Sequence, residues 1–236
     1  MNLFRAALQE RIKRTETVES FRFVSKEKPA FLPGQFLQVI FDETNPNNRD
    51  LNKYLSFSSS PDREYFEVTK RLSESRFSER LTELPAGQSV LLKGPMGNCN
   101  FQEDYRKIGV LIGGIGITPV VSILEYIAER NLDTDGLLFY SNRVEEEIAF
   151  RPELDRWQKR IPKLKVFYLV TECPPKNPAC LYGRIDNRLL AQNMADISER
   201  VVFAFGPPQM VKAMKELALN AGCPEKQIKT EFFAGY

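Results

Sequence analysis

The sequence predicts a two-domain protein: an antiparallel β-barrel followed by an α/β domain built on a parallel sheet. Three observations carry this. In the first hundred residues, several short aromatic and β-branched runs are separated by turn residues, the spacing of an antiparallel barrel. From about Tyr105 the character changes. Apolar strand-like runs now alternate with amphipathic helical ones, which implies a parallel sheet covered on both faces. A length of 236 residues with 42% apolar content allows one large or two modest domains with substantial cores. The change of pattern places the boundary between residues 1–103 and 104–236.

In chain order, ESFRFVSKE alternates Phe21, Phe23 and Ser25 against Arg22, Val24 and Lys26, a strand pattern. Leu32-Pro33-Gly34 turns the chain into FLQVIF, a second strand. DETNPNNRDLNK has the Asn, Asp and Pro density of an exposed loop, and YLSFSSS, YFEVTKRL and SVLLKGP continue the strand series. A short helix is predicted over 76–84, with Phe77, Leu81 and Leu84 at helical spacing and Pro85-Ala86-Gly87 ending it. In the second half IGVLIGG, GLLFYSN, KVFYLVT and VVFAFG read as strands. VVSILEYIAER, residues 152–160, LLAQNMA and PQMVKAMKELALNAG read as helices, the last ended by Gly222.

Composition excludes several function classes. The N-terminal segment is charged from Arg5 onward and has neither the apolar core nor the cleavage site of a signal peptide. No apolar run is long enough to span a bilayer, since Ile108 to Leu124 is broken by glycines and a proline. A cytoplasmic protein without membrane insertion is expected. The net charge of +2, from 33 basic and 31 acidic residues, makes no case for nucleic acid. Cys99, Cys173, Cys180 and Cys223 lack zinc or iron–sulfur spacing and are expected to be shielded free thiols; no metal site is expected. The chain has no histidine, which removes Ser-His-Asp and Cys-His catalysis. The chemistry is therefore expected to belong to a bound cofactor.

Three segments have the residues to hold one. In Leu111-Ile112-Gly113-Gly114-Ile115-Gly116-Ile117-Thr118-Pro119 an apolar strand runs through glycines into a helix. Glycines admit a ligand close to the backbone, and the helix N-terminus offers unpaired N–H groups to a pyrophosphate. A ligand-free tight turn would use the same residues. Phe205-Gly206-Pro207-Pro208 is a second strand-to-helix junction, and alone it signals only a turn. Lys53-Tyr54-Leu55-Ser56-Phe57-Ser58-Ser59-Ser60 offers a cation, aromatic rings and hydroxyls to a flat phosphate-bearing heterocycle. An ordinary half-exposed strand also looks like this.

Taken in order, these segments resemble the ferredoxin–NADP reductase superfamily across nearly the whole chain. Phe31-Leu32-Pro33-Gly34-Gln35-Phe36 is similar to its PGQ turn. Lys53 to Ser56 is similar to its Arg-x-Tyr-Ser/Thr flavin motif, and Ser75-Arg76-Phe77-Ser78 to its Gly-x-x-Ser/Thr pyrophosphate segment. Gly94-Pro95-Met96-Gly97 is similar to the GPxG turn, GGIGITP to the nicotinamide-nucleotide loop, Gly183-Arg184-Ile185 to a GRI segment and Gly206-Pro207-Pro208 to the GPP. The departures are Lys53 for arginine, Leu55 for the flavin-stacking tyrosine, Ser75 for glycine and Phe205 for cysteine.

The resemblance implies a flavin-binding barrel, a nucleotide-binding α/β domain, and hydride transfer from nicotinamide to flavin followed by single-electron transfer. It implies FAD rather than FMN, NADPH or NADH as substrate, and a small acidic redox protein such as a ferredoxin or flavodoxin as partner. A flavin or ferric reductase, or an electron-transfer subunit with little activity alone, are the other forms. No iron–sulfur domain accompanies the chain's own cysteines. Ser56 is the expected hydrogen-bond partner of flavin N5. Phe233 is the expected shield of the ring, with Tyr236 its rival, and Glu231 is expected to order the site or relay protons. Lys53, Tyr54, Leu55, Ser56, Phe57, Ser58, Lys70, Ser75, Arg76, Phe77 and Ser78 are implied on the flavin. Gly113, Gly114, Gly116, Thr118, Pro119, Ser141, Arg143, Arg184, Gly206, Pro207 and Pro208 are implied on the nucleotide. Ser141 and Arg143 stand where the family commonly meets the 2′-phosphate of NADP, so the expectation inclines toward NADPH.

Overall fold

The computed structural model describes residues 2–233; Tyr236 lies outside the described residues. The chain divides into two compact units, Met1–Asn100 with Thr118–Tyr126, and Phe101–Ile117 with Ile127–Tyr236.

The first unit contains β1 (Asn2–Lys13), β2 (Val18–Val24), β3 (Phe36–Ile40), β4 (Asn52–Ser56), β5 (Phe66–Arg71), α1 (Arg76–Thr82) and β6 (Ser89–Met96). Among the described residues these strands form one antiparallel sheet in the order β4-β3-β6-β1-β2-β5. Its two edges meet just past β4. Phe57 bridges to Val68, and the Ser58 N–H donates to the Glu67 carbonyl at 2.7 Å, so the sheet closes into a barrel. Alternate residues fill the interior: Phe4, Ala6 and Leu8 of β1, Phe21 and Phe23 of β2, Leu37 and Val39 of β3, and Phe66 and Val68 of β5. Phe77, Leu81 and Leu84 of the α1 region join the same core.

Strand β1 is twelve residues long, and the sequence reading had passed over it as a charged N-terminal segment. Its inward set is Phe4, Ala6 and Leu8, while Arg5 and Arg11 point outward. The interleaved charges masked a strand that lies between β2 and β6.

The second unit contains β7 (Lys107–Gly113), β8 (Asp135–Asn142), α3 (Arg151–Arg160), β9 (Leu164–Val170), β10 (Cys180–Tyr182), α4 (Asn187–Asn193), β11 (Val201–Gly206), α5 (Pro208–Asn220) and β12 (Ile228–Phe232). The helix α2 (Ile117–Arg130) follows β7. Among the described residues the strands are all parallel, in the order β10-β9-β8-β7-β11-β12. One face of this sheet packs Leu111, Phe139, Leu169 and Val202 against Leu190 of α4, Met194 just past its end, and Val211, Met214 and Ala218 from α5. Helix α5 ends before Gly222, which takes φ +96° in the left-handed region, the usual helix stop. The three-residue strand β10 carried no sequence signal long enough to register.

At the amino end of the sheet, the buried Arg200 guanidinium donates to the Ile108 carbonyl, to Asp135 and to both oxygens of Asp196. Together with Lys107, Arg200 holds the Asp196 carboxyl down at about 2.

Candidate functional site

In the barrel unit, the flavin-like motif lies on β4. Pairing with β3 sets its faces: Leu55 lies opposite Leu37 and Lys53 opposite Val39, while Tyr54 lies opposite Gln38 and Ser56 opposite Phe36. Leu55 is therefore buried in the core, whereas Tyr54 is 61% exposed with its ring edge-on to Phe36, centroids 5.8 Å apart. Ser56 is buried at the strand end.

Close by in sequence, a chain of hydroxyls opens α1. Ser75 is the N-cap residue and accepts from the Ser78 N–H, and the Ser73, Ser75 and Ser78 hydroxyls bond in series at 3.2 and 3.0 Å. At the end of β5, Lys70 is buried and its ammonium donates to the Arg71 carbonyl at 2.6 Å. Burial, with the neighbouring charges of Lys53 and Arg71, pushes the Lys70 pKa down to about 8.

In the second unit the candidate residues gather at the carboxyl edge of the sheet. Gly113 ends β7 opposite Ser141 of β8, and Phe205 of β11 lies opposite Ile112 on the other side. Gly113 to Gly116 thus pass between the ends of two neighbouring strands. Strands β8, β9 and β10 run away from β7 on one side and β11 and β12 on the other, so the order reverses here. In open α/β sheets ligands bind outside the carboxyl ends at this reversal. Gly116 is the N-cap residue of α2 and offers no side-chain cap, and the Ile117 N–H turns back onto the Gly114 carbonyl, so the positive end of the helix dipole faces the glycine turn. Pro208 occupies the first turn of α5, where its missing N–H costs nothing.

One of these glycines, Gly116, is also required by packing. A methyl group on Gly116 would fall on the Phe205 carbonyl oxygen, with Gly206 Cα at 3.2 Å. One on Gly113 would meet the sulfur and methyl of Met210, the flexible end of a side chain that can turn aside.

At the end of β8, Arg143 is exposed and its Nε donates to Glu172 at 2.6 Å. The neighbouring Asn142 is buried, and neither atom of its side-chain amide has a partner among the described residues. Arg184 is exposed beyond β10. On the other flank, the Phe233 N–H donates to the Gly206 carbonyl at 2.9 Å, and its ring lies near-parallel to buried Phe205 at 6.5 Å. Burial raises the Glu231 carboxyl to about 7.

The Glu231 shift has a measurable consequence for stability. A carboxyl whose folded pKa lies above its unfolded value loses stability as pH rises from about 4.5 to 7. The full shift corresponds to about 3 kcal/mol, reduced to about 1–2 kcal/mol by residual solvent. Glu231→Gln is expected to melt higher than the parent at pH 8 and level with it at pH 4.5. An equal melting temperature at both pH values would show that Glu231 is ionised without cost.

Comparison with known proteins identifies the two units. Residues 5–101 match the oxidoreductase FAD-binding domain and residues 110–216 the oxidoreductase NAD-binding domain. The chain belongs to the ferredoxin–NADP reductase superfamily. It is 33% identical over 181 residues to NADH-cytochrome b5 reductase 1 of Dictyostelium discoideum, covering 75% of this chain and 63% of the relative. It is 30% identical over 232 residues to the glycine betaine monooxygenase reductase subunit of Chromohalobacter salexigens, covering 94% and 62%. The chain thus spans less than two thirds of these relatives' length. Its fold is that of the Neisseria gonorrhoeae ferredoxin NADP+ reductase structure with bound FAD and NADP, with a TM-score of 0.82 at 22% identity over 98% and 99% of the two chains.

Within this superfamily frame, the barrel residues fit an FAD. Lys53, Lys70 and Arg71 crowd positive charge around a buried ammonium, an arrangement that an anionic pyrophosphate relieves. The side chains of several residues implied on the flavin are engaged elsewhere. Leu55 and Phe77 turn into the core, and Phe57 is fully buried with its ring stacked on Phe31 at 3.8 Å. Ser58 is consumed by hydrogen bonds to Thr69 and Glu67. Strand alternation turns Leu55 inward, the helical face shared with Leu81 buries Phe77, and a cross-strand network engages Ser58. The superfamily's PGQ turn proves architectural: Gln35 accepts from the Leu32 N–H and donates to the Gly97 carbonyl, and Gly34 takes φ +100°. Cys99, Cys180 and Cys223 are buried as expected, but Cys173 is exposed. No helix among the described residues is long and apolar enough to cross a membrane. Sequence reasoning missed Glu172, which lies 29 residues from the arginine it engages.

Proposed function

We propose that this chain is an NAD(P)H-dependent FAD reductase that passes single electrons to a separate small redox protein. The observation that carries this is the carboxyl edge of the parallel sheet, where the Gly113–Gly116 turn, the end of β8 and the Gly206–Pro208 turn meet at the reversal of strand order. The FAD-binding match of the barrel supports the cofactor. The names of two relatives, one a cytochrome b5 reductase and one a monooxygenase reductase subunit, support a protein acceptor.

In this mechanism FAD supplies hydride acceptance from nicotinamide and one-electron release. The protein supplies position and charge. Lys53 and Lys70, with the Ser75–Ser78 turn, hold the pyrophosphate, and Ser56 donates a hydrogen bond to the ring edge. Phe233 covers nonpolar surface beside Gly206, and Glu231 holds a proton near neutral pH. The glycine turn of Gly113–Gly116 and the start of α2 hold the dinucleotide pyrophosphate. Thr118 and Pro119 shape that first turn.

The test is the absorbance spectrum of purified protein supplied with FAD, before and after NADH or NADPH without oxygen. Flavin bands that bleach on nucleotide addition are expected, with reoxidation by a one-electron protein acceptor. A protein that stays colourless after reconstitution, or flavin bands indifferent to both nucleotides, overturns the assignment.

A further inference from the structure

Strand β4 changes neighbour immediately after Ser56. Ser56 is its last residue paired with β3, opposite Phe36. The next two amides point to different strands. The Phe57 N–H donates to the Gln35 carbonyl beside β3 at 3.0 Å, and the Ser58 N–H donates to the Glu67 carbonyl of β5 at 2.7 Å. The direction in which the Ser56 side chain leaves the strand therefore depends on where this hand-over is fixed.

A buried polar network spanning β2 and β5 fixes it. The Glu67 carboxylate, with 3% of its side chain exposed, accepts from Arg14 Nη2 at 3.0 Å and from Arg22 Nε at 2.9 Å. The Ser58 hydroxyl donates to it at 3.3 Å. A second route joins Arg14 to the same carboxylate. Arg14 Nε donates to Ser20 Oγ at 2.8 Å, and the Ser20–Thr69 and Thr69–Ser58 hydroxyl pairs are each 2.7 Å apart. A guanidinium only donates and a carboxylate only accepts, so every hydroxyl between them is oriented one way. Ser20 donates to Thr69, Thr69 to Ser58, and Ser58 to Glu67. The Glu67 N–H also donates to Ser59 Oγ at 3.0 Å, and Ser60 Oγ accepts from the Asp62 N–H at 3.2 Å. Of the serines in Ser56–Ser60, Ser56 alone keeps a hydroxyl with no hydrogen-bond partner among the described residues.

Taking Glu67 and Arg14 out of water costs about as much as their pairing returns, so such a network adds little stability over an apolar seam. What it adds is a single geometry at the point where the barrel closes. We propose that Glu67 and Thr69 are positioning residues for the flavin. Acting through Ser58, they fix the hand-over of β4 and hold the unengaged Ser56 hydroxyl in the orientation from which it bonds the ring edge. This assignment rests on the contact between Ser56 and the flavin proposed above.

The test is a double-mutant cycle read by FAD binding instead of turnover. Flavin-free protein is titrated with FAD, following fluorescence quenching and the shape of the bound flavin's absorbance band. Thr69→Val keeps the side-chain shape and removes the hydroxyl. Ser58→Ala cuts the same chain one link nearer and repeats the cycle, and melting temperatures show which variants fold. Ser56→Ala is expected to weaken FAD binding about fivefold and to change the band shape, the loss of one neutral hydrogen bond. Thr69→Val is expected to weaken it about threefold, with the same change of band shape. The double variant is expected to stay about fivefold weaker than the parent, because the hydroxyl that Thr69 positions is already gone. A loss of about fifteenfold in the double variant, the product of independent effects, overturns the positioning role. So does a Thr69→Val protein with the parent's affinity and band shape; in both cases Ser56 stays at the ring. If Ser56→Ala itself behaves as the parent, Ser56 does not reach the flavin and the assignment falls with that contact. A parent protein that binds no FAD removes the proposed function itself.

Discussion

Replacement of Gly116 by alanine is expected to abolish nucleotide binding and to lower stability by about 3 kcal/mol, a fall in melting temperature of roughly 6–12 °C. The reason is purely steric. Gly116 has φ −59° and ψ −7°, a conformation alanine adopts freely, so no backbone strain is involved. The added methyl would instead occupy the space of the Phe205 carbonyl oxygen and crowd Gly206 Cα at 3.2 Å. Both are backbone atoms of β11 and its turn, and cannot rotate aside. The β7 and β11 ends must separate, which displaces the first amides of α2. Gly136→Ala in the same sheet is the control. There the nearest atoms are the Leu164 Cδ1 at 3.1 Å and side-chain atoms of Ile108, which can yield, and a change below about 1 kcal/mol is expected. Thermal melts and ADP-ribose titrations of both variants check this; parent-like behaviour of Gly116→Ala would mean that β11 is not seated against the glycine turn.

Lys70→Met is expected to weaken FAD binding about 10–100-fold, the loss of one charge-assisted bond to a phosphate worth about 1.5–3 kcal/mol. The pH dependence is the sharper signature. With a pKa of about 8 in the flavin-free protein, Lys70 is already charged below pH 8, and affinity should be flat there. Above pH 8 the flavin-free protein loses this proton. FAD must then bind with proton uptake, and affinity falls by up to about tenfold per pH unit. Stability of the flavin-free protein moves oppositely. A lysine whose folded pKa lies below its unfolded value lets stability rise between about pH 8 and 10.5, where the unfolded chain binds more protons. In Lys70→Met both slopes should disappear. Quenching of FAD fluorescence against pH, together with melts of the flavin-free protein, measures them. A parent protein whose FAD affinity is unchanged from pH 7 to 10 would remove Lys70 from the pyrophosphate site.

Much of the nucleotide half was legible in order along the chain. The apolar run of β7, the glycines after it and the amphipathic helix that follows are local patterns, and local patterns survive without knowledge of the fold. The same holds for α1 and α5, whose apolar spacing and end signals appear within a few residues. β1 is equally local, with Phe4, Ala6 and Leu8 alternating, but the charges between them hide the alternation in the sequence. The flavin motif is legible as a segment, but which of its side chains face outward is not. The resemblance implies both Tyr54 and Leu55 on the flavin, and pairing with β3 turns the Leu55 side chain inward and leaves Tyr54 outside.

By itself, then, the sequence determined the two-domain order, the sheet types and the places where strands hand over to helices, because hydrophobic period and turn chemistry act over a few residues. Only the tertiary structure decided which side chains are free to act. Lys70 acquires its lowered pKa from burial and from Lys53, a residue on another strand. Gly116 is obligatory because β11, far along the chain, ends against it. Arg143 reads as a phosphate ligand until Glu172, on a neighbouring strand end, takes its guanidinium. Desolvation, steric exclusion and charge pairing depend on distance in space, and that distance is set only once the sheets have closed.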